Sequence, residues 1–98
     1  MSYQDVKTRV ELTEVGQGVQ YLSRKKVAVV TIPEGSQITT GDLLQYGDEP
    51  DAPRLKAESI QFCHRMVSDA VGPTKVGIWV GRPVPEDVPV FRVTRTDG

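Results

Sequence analysis

The chain has 98 residues, of which 38% are hydrophobic and 26% are charged, and its formal net charge is -1. This length suits a single domain with one modest core, so we treat residues 1–98 as one domain. The balanced charge argues against general binding to nucleic acid through an overall basic surplus, so an RNA partner would need a local basic patch. Cys63 is the only cysteine, which excludes an internal disulfide and favours a reducing compartment.

The N-terminus carries no apolar segment of the kind that a secretory signal needs. The longest apolar run covers only residues 27–30, which is far too short to span a membrane. We therefore expect a cytoplasmic protein with no membrane partner.

The first half of the chain has the alternating pattern of β-strands. Residues 1–8 are polar and are predicted to be a tail, whereas residues 9–22 alternate, with Gly16 and Gly18 indicating a bulge. Residues 23–26 predict a polar hairpin turn. The β-branched run 27–32 predicts a strand that is buried on both faces or that crosses the interior of a barrel, and Pro33 ends it.

The second half combines loops with further strands. Two prolines, one glycine and three acids predict an exposed loop at 47–54. Residues 55–66 alternate as one strand, with Ile60, Phe62 and Met66 facing the core and His64 in the same phase. Further strands are predicted at 76–80 and 88–93, and residues 94–98 read as a second polar tail.

No window of the sequence has the apolar spacing of an amphipathic helix. Many short strands separated by glycine and proline are typical of a small all-β barrel or sandwich. Because closing a sheet removes exposed edges, we predict a small closed antiparallel β-barrel.

Short motifs in a fixed order resemble the translation-protein β-barrel, which is the second domain of elongation factor Tu. The residues that carry this resemblance are Val15-Gly16-Gln17-Gly18-Val19, Val27-Ala28-Val29-Val30, Thr40-Gly41-Asp42-Leu43-Leu44, Val76-Gly77-Ile78-Trp79-Val80 and Pro85-Glu86-Asp87-Val88. The closer resemblance is to stand-alone translation elongation factor-like proteins and to the same barrel at the end of collagenase-like peptidases. It covers about residues 9–93 and departs from the family in the loops at 70–77 and 86–88.

The resemblance implies a non-enzymatic module that contacts tRNA or ribosomal RNA. In elongation factor Tu, a His-Arg pair lies near the pocket for the aminoacyl end of tRNA, and His64 and Arg65 match that pair as residue types. Lys75 replaces an asparagine of the same pocket. The hairpin turn predicted at 23–26 carries three further basic residues, and we call it the basic turn. The predicted RNA-binding residues are therefore His64, Arg65, Lys75, Arg24, Lys25 and Lys26.

Two other functions are carried as alternatives. The first is a protein-interaction module or accessory subunit of a partner enzyme, with Trp79 as the predicted protein-contact residue, because alternation allows its side chain to face outward. Trp79 could also pack against the long loop or stack on a base. The second alternative is an antifreeze-like sugar-binding domain, which residues 32–43 also resemble.

No catalytic residue, cofactor or metal site is predicted. His64 is the only histidine, so no histidine pair is available, and adjacent strand residues would place Cys63 and His64 on opposite faces. The phosphate-binding pattern Gly-x-x-x-x-Gly-Lys-Ser/Thr is absent from the sequence, so no nucleoside triphosphate is expected as a partner.

Overall fold

The computed structural model describes the backbone of residues 8–97 and the side chains of residues 10–95. This part of the chain is all-β, as predicted, and it contains no helix that could cross a membrane. Its strands are β1 (Thr8–Leu22), β2 (Val27–Ile32), β3 (Gln37–Thr39), β4 (Leu43–Tyr46), β5 (Arg54–Lys56), β6 (Ile60–Phe62), β7 (Arg65–Val67), β8 (Asp69–Val71), β9 (Thr74–Trp79) and β10 (Val90–Asp97).

Eight strands form one antiparallel sheet in the order β5-β4-β10-β1-β2-β9-β6-β7, and β3 pairs with β8. Leu44 of β4 and Ile60 of β6 lie in the same buried cluster although their strands belong to opposite ends of the sheet, so the sheet curls around one core. The two edge strands, β5 and β7, do not pair with each other in the described residues. The barrel is therefore an open half-barrel, and the predicted closure is not confirmed.

β1 is long because it serves two partners in succession. Its first half pairs with β10 and its second half with β2, with register shifts between Glu14 and Gly16 and between Gln17 and Gln20. The bulge predicted from the glycines is thus confirmed. The predicted tail at 94–98 is wrong for residues 94–97, which continue β10 opposite residues 8–11. Residues 1–7 and Gly98 lie outside the described residues.

β2 alternates in burial, so the first of the two predicted arrangements, burial on both faces, is wrong. Ala28, Val30 and Ile32 are fully buried, whereas Val27 and Val29 are half-buried on the outer face. The same alternation continues on the neighbouring strand β9, so the centre of the sheet has a partly open outer surface.

The prediction of one strand over residues 55–66 is wrong. The chain forms three short strands there, and Cys63 and His64 make the two-residue turn between β6 and β7. Phe62 and Met66, which were assigned to the core, are 41% and 66% exposed. Residues 47–53 connect β4 to β5, which begins at Arg54; of these, residues 48–51 are exposed, whereas Gly47 is buried and residues 52–53 are half-buried.

Candidate functional site

The outer face of β1, β2, β9 and β6 carries a groove of about 280 Å³. It brings together three of the predicted RNA-binding residues from distant parts of the chain. The lining residues are Leu22, Lys25, Val27, Val29, Gln61, Cys63, His64, Lys75, Val76 and Gly77.

Strand register explains the floor of the groove. Val29 of β2 and Gln61 of β6 are both cross-strand partners of Gly77 in β9. Gly77 has no side chain to fill the space between them, and a Cβ added there would lie 3.0 Å from the Val27 side chain. Cross-strand partners share a face of the sheet, so these residues form a low, mostly apolar floor.

The turn at Cys63 and His64 forms one rim. Both residues have positive φ, 50° and 63°, as a two-residue type I′ hairpin requires. Non-glycine residues adopt this conformation at a cost, which the surrounding structure must offset. The turn places His64 beside the groove, rather than on a strand as the family resemblance implied.

The basic turn between β1 and β2 forms the other end. Lys25 lines the groove, and the neighbouring Lys26 carbonyl accepts hydrogen bonds from the amides of Val80 (2.9 Å) and Gly81 (3.3 Å). These two bonds fix the turn against the end of β9.

The two lysines of the groove, Lys25 and Lys75, form no ion pair with a carboxylate among the described side chains. The one ion pair within residues 10–95 joins Arg92 to Asp42 at 3.7 Å, away from the groove. Lys25 and Lys75 therefore leave a local excess of positive charge at the two ends of an apolar floor.

The other predicted RNA-binding residues do not line the groove. Arg24 and Lys26 lie in the basic turn, and Arg65 begins β7. The sequence analysis missed Gln61 and Gly77 as groove residues, because their meeting depends on the register between β6 and β9.

Trp79 faces outward, as alternation allowed, and is 45% exposed. Its ring lies over Gly81, so close that a Cβ on Gly81 would sit 2.8 Å from the ring atom Cη2. Gly81 also has a φ of 76°, which favours glycine. The outward orientation is confirmed, whereas the role of Trp79 in protein contact remains a prediction.

A second surface lies beside the edge strand β7. A pocket of about 190 Å³ is bordered there by Phe62, Val67 and Val71, and Phe62 and Val71 are exposed. The sequence analysis missed this surface because it placed Phe62 in the core. Residues 10–95 contain no group of three or more His, Cys, Asp or Glu side chains able to hold a metal ion.

The fold is shared with the C-terminal domain of a Geobacillus thermoleovorans protein assigned as a U32 peptidase. Its crystal structure superposes with a TM-score of 0.66 at 20% identity, covering 83% of this chain and 91% of that one. The selenomethionine variant of that domain gives the same TM-score and identity, with coverages of 82% and 98%. No protein-family profile and no curated protein sequence matches the chain.

The likeness supports the predicted relation to the barrel at the end of collagenase-like peptidases, at the level of fold. Neither structure is a translation factor, so the elongation factor part of the resemblance remains a prediction. The described residues thus form an all-β half-barrel that shares its fold with the C-terminal domain of another protein.

Proposed function

We propose that this chain is a non-enzymatic interaction module that binds RNA, such as tRNA or ribosomal RNA, through its basic groove. The observation that carries the proposal is the meeting of Lys25, His64 and Lys75 in one groove. A phosphate backbone is the ligand that best matches lysines without carboxylate partners, since each contact releases condensed counterions.

The polar and apolar parts of the groove support the same ligand class. Gln61 supplies an amide that can donate or accept a hydrogen bond, and Val27 and Val29 give an apolar floor. His64 is the only histidine in the sequence, so no histidine pair is available for acid–base chemistry.

The direct test is binding of bulk tRNA, followed by fluorescence anisotropy at increasing salt concentration. We expect measurable affinity at low salt that falls as salt rises. Lys25→Ala and Lys75→Ala should each weaken binding and lower the slope of log K against log salt by about 1.

Lys56→Ala is the matched control, because Lys56 is an exposed lysine on the edge strand β5 and does not line the groove. Arg65→Ala tests the residue pair taken from the family, and we expect a smaller effect than for Lys75→Ala. Absence of binding at low salt, or an equal loss in Lys56→Ala, would contradict the proposal.

The second candidate is an accessory subunit that docks on a partner enzyme. It is favoured by the exposed apolar side chains of Phe62 and Val71 around one pocket and by the fold shared with a peptidase's C-terminal domain. Exposed apolar patches often mark protein interfaces. Loss of an enzyme partner on Val71→Lys but not on Lys75→Ala would assign the function to this surface. The two structural neighbours give no support to the sugar-binding alternative.

A further inference from the structure

Trp79 lies at the end of the basic groove, on the same face of β9 as two groove residues. Lys75, Gly77 and Trp79 alternate outward along this strand, so the strip from Lys75 to Trp79 is about 13 Å long at ~3.3 Å per residue. Val27, which lines the groove, is the cross-strand partner of Trp79. Trp79 therefore lies on the same face of the sheet as the groove floor and next to Val27.

The indole is also held in place before any ligand arrives. Gly81 lies against the ring. The backbone amides of Val80 and Gly81 donate hydrogen bonds to the Lys26 carbonyl in the basic turn. With one part of the ring supported in this way, 45% of the residue remains exposed. A fixed aromatic surface loses little conformational entropy when a flat ligand stacks on it.

We infer that Trp79 is a stacking platform for an unpaired base, so that the ligand of the groove is single-stranded RNA. This inference rests on the proposed function and narrows it. Lys25 would contact the backbone beside the stacked nucleotide, and Lys75 and His64 would contact it further along. Single-stranded nucleic acids are held in this way, by aromatic stacking next to a cationic groove.

Duplex RNA does not satisfy the same arrangement. Its bases are stacked on each other and paired, so an aromatic side chain on a strand reaches base faces only where the chain is unpaired. The groove should therefore prefer a single strand over a duplex of the same length and charge.

The experiment uses a short oligouridine and, as its comparison, the matching RNA duplex. Binding is followed by anisotropy of a labelled strand, and stacking is followed by quenching of tryptophan emission with the unlabelled strand. Trp79 is the only tryptophan in the chain, so the emission reports on this side chain. We expect quenching that saturates with binding, and weaker binding of the duplex.

Two variants separate stacking from packing. Trp79→Phe keeps an aromatic face and should retain most of the affinity. Trp79→Leu keeps an apolar contact with Gly81 but has no aromatic face, and it should raise Kd by about 5- to 150-fold, which corresponds to ~1–3 kcal/mol for one stacked base. Thermal melts followed by circular dichroism confirm that each variant is folded.

The inference is overturned if the oligouridine binds without quenching, if Trp79→Leu binds as tightly as the unaltered protein, or if the duplex binds equally well. In each of these cases the proposed RNA-binding function survives. If neither RNA binds at low salt, the proposed function fails, and the inference fails with it.

Discussion

The hydroxyl group of Tyr46 lowers the free energy of unfolding, because it is buried without a hydrogen-bond partner among the described residues. The side chain is fully buried in the core, and its hydroxyl has no hydrogen-bond partner among the described residues. A buried polar group without a partner loses its hydration and gains nothing in return. Burial also raises the pKa of Tyr46 above its ordinary value, because the charged form is disfavoured away from water.

Replacing Tyr46 by phenylalanine should leave stability unchanged or increase it by about 1 kcal/mol, because only the unsatisfied hydroxyl is removed. The pH dependence gives a sharper readout. Above about pH 10 the unfolded tyrosine loses its proton while the folded one keeps it, so the unfolded state binds fewer protons and stability falls as pH rises.

Urea unfolding of the two proteins at a series of pH values checks this prediction. The difference in stability between Tyr46→Phe and the unaltered protein should grow in favour of the variant as pH rises past 10. All other titrating groups are common to both proteins and cancel in that difference. A difference that is constant with pH, or a strongly destabilised variant, would show that the hydroxyl has a partner in solution.

At the scale of elements, the β6–β7 hairpin combines conformational strain with a place in the groove. Asparagine followed by glycine is the pair that suits a type I′ turn, because both positions require positive φ. We expect the double substitution Cys63→Asn/His64→Gly to raise stability by ~1–2 kcal/mol. The same change removes the His64 side chain from the groove and should weaken RNA binding.

Cys63→Asn alone is the matched variant, since it relieves strain at one position and keeps His64. It should gain part of the stability and lose less RNA affinity than the double variant, because Cys63 also lines the groove but the His64 side chain is kept. Chemical denaturation and the tRNA titration measure the two effects on the same samples. Equal loss of affinity in both variants would mean that the change at Cys63, rather than the loss of His64, weakens binding.

This hairpin also shows where prediction from the sequence stops. A two-residue turn reverses the phase of alternation, so Ile60 faces the same side as Val67 rather than Met66. Cys63 and His64 are not typical turn residues, so the alternation over residues 55–66 predicted one continuous strand. That prediction assigned Met66 to the core. By contrast, β2 and β9 were predictable because their β-branched runs are bounded by a polar turn or by glycine and proline.

The candidate site was predictable in its residues but not in its arrangement. Lys25, His64 and Lys75 could be named from charge and from the family resemblance. Their convergence depends on the pairing of β2 with β9 and of β9 with β6, which are long-range choices that local sequence does not specify. Alternation allowed the outward direction of Trp79 but also left packing against the long loop open, and the burial of Ile78 and Val80 on either side decides for the outward direction.

At the scale of the whole molecule, the described residues measure 53 × 25 × 19 Å. The long dimension is close to the length of β1, whose 15 residues extend about 50 Å at ~3.3 Å per residue. The outer part of β1 has only β10 beside it, whereas β2 and β9 have strands on both sides. Stability should therefore be distributed unevenly along the molecule.

Hydrogen exchange measured on peptic peptides checks this distribution. Amides of β2 and β9 should exchange most slowly, because they lie in the centre of the sheet. Amides of the edge strands β5 and β7, and of residues 8–11 and 94–97, should exchange several orders of magnitude faster, as expected for segments that open locally. Uniform protection across all strands would contradict an open half-barrel, because a closed barrel has no edge strands.

The pairing of Thr8 with Asp97 brings the two ends of the described chain together, so the half-barrel is suited to insertion into another protein. Paired residues of antiparallel strands lie about 5 Å apart, so a host protein could carry residues 8–97 in one of its surface loops with both junctions at a single point. The groove is built by other parts of the chain, so such a graft would leave it intact. Rejoining the two ends and opening the chain at the exposed residues 48–51 would likewise give a circular permutant that keeps the sheet.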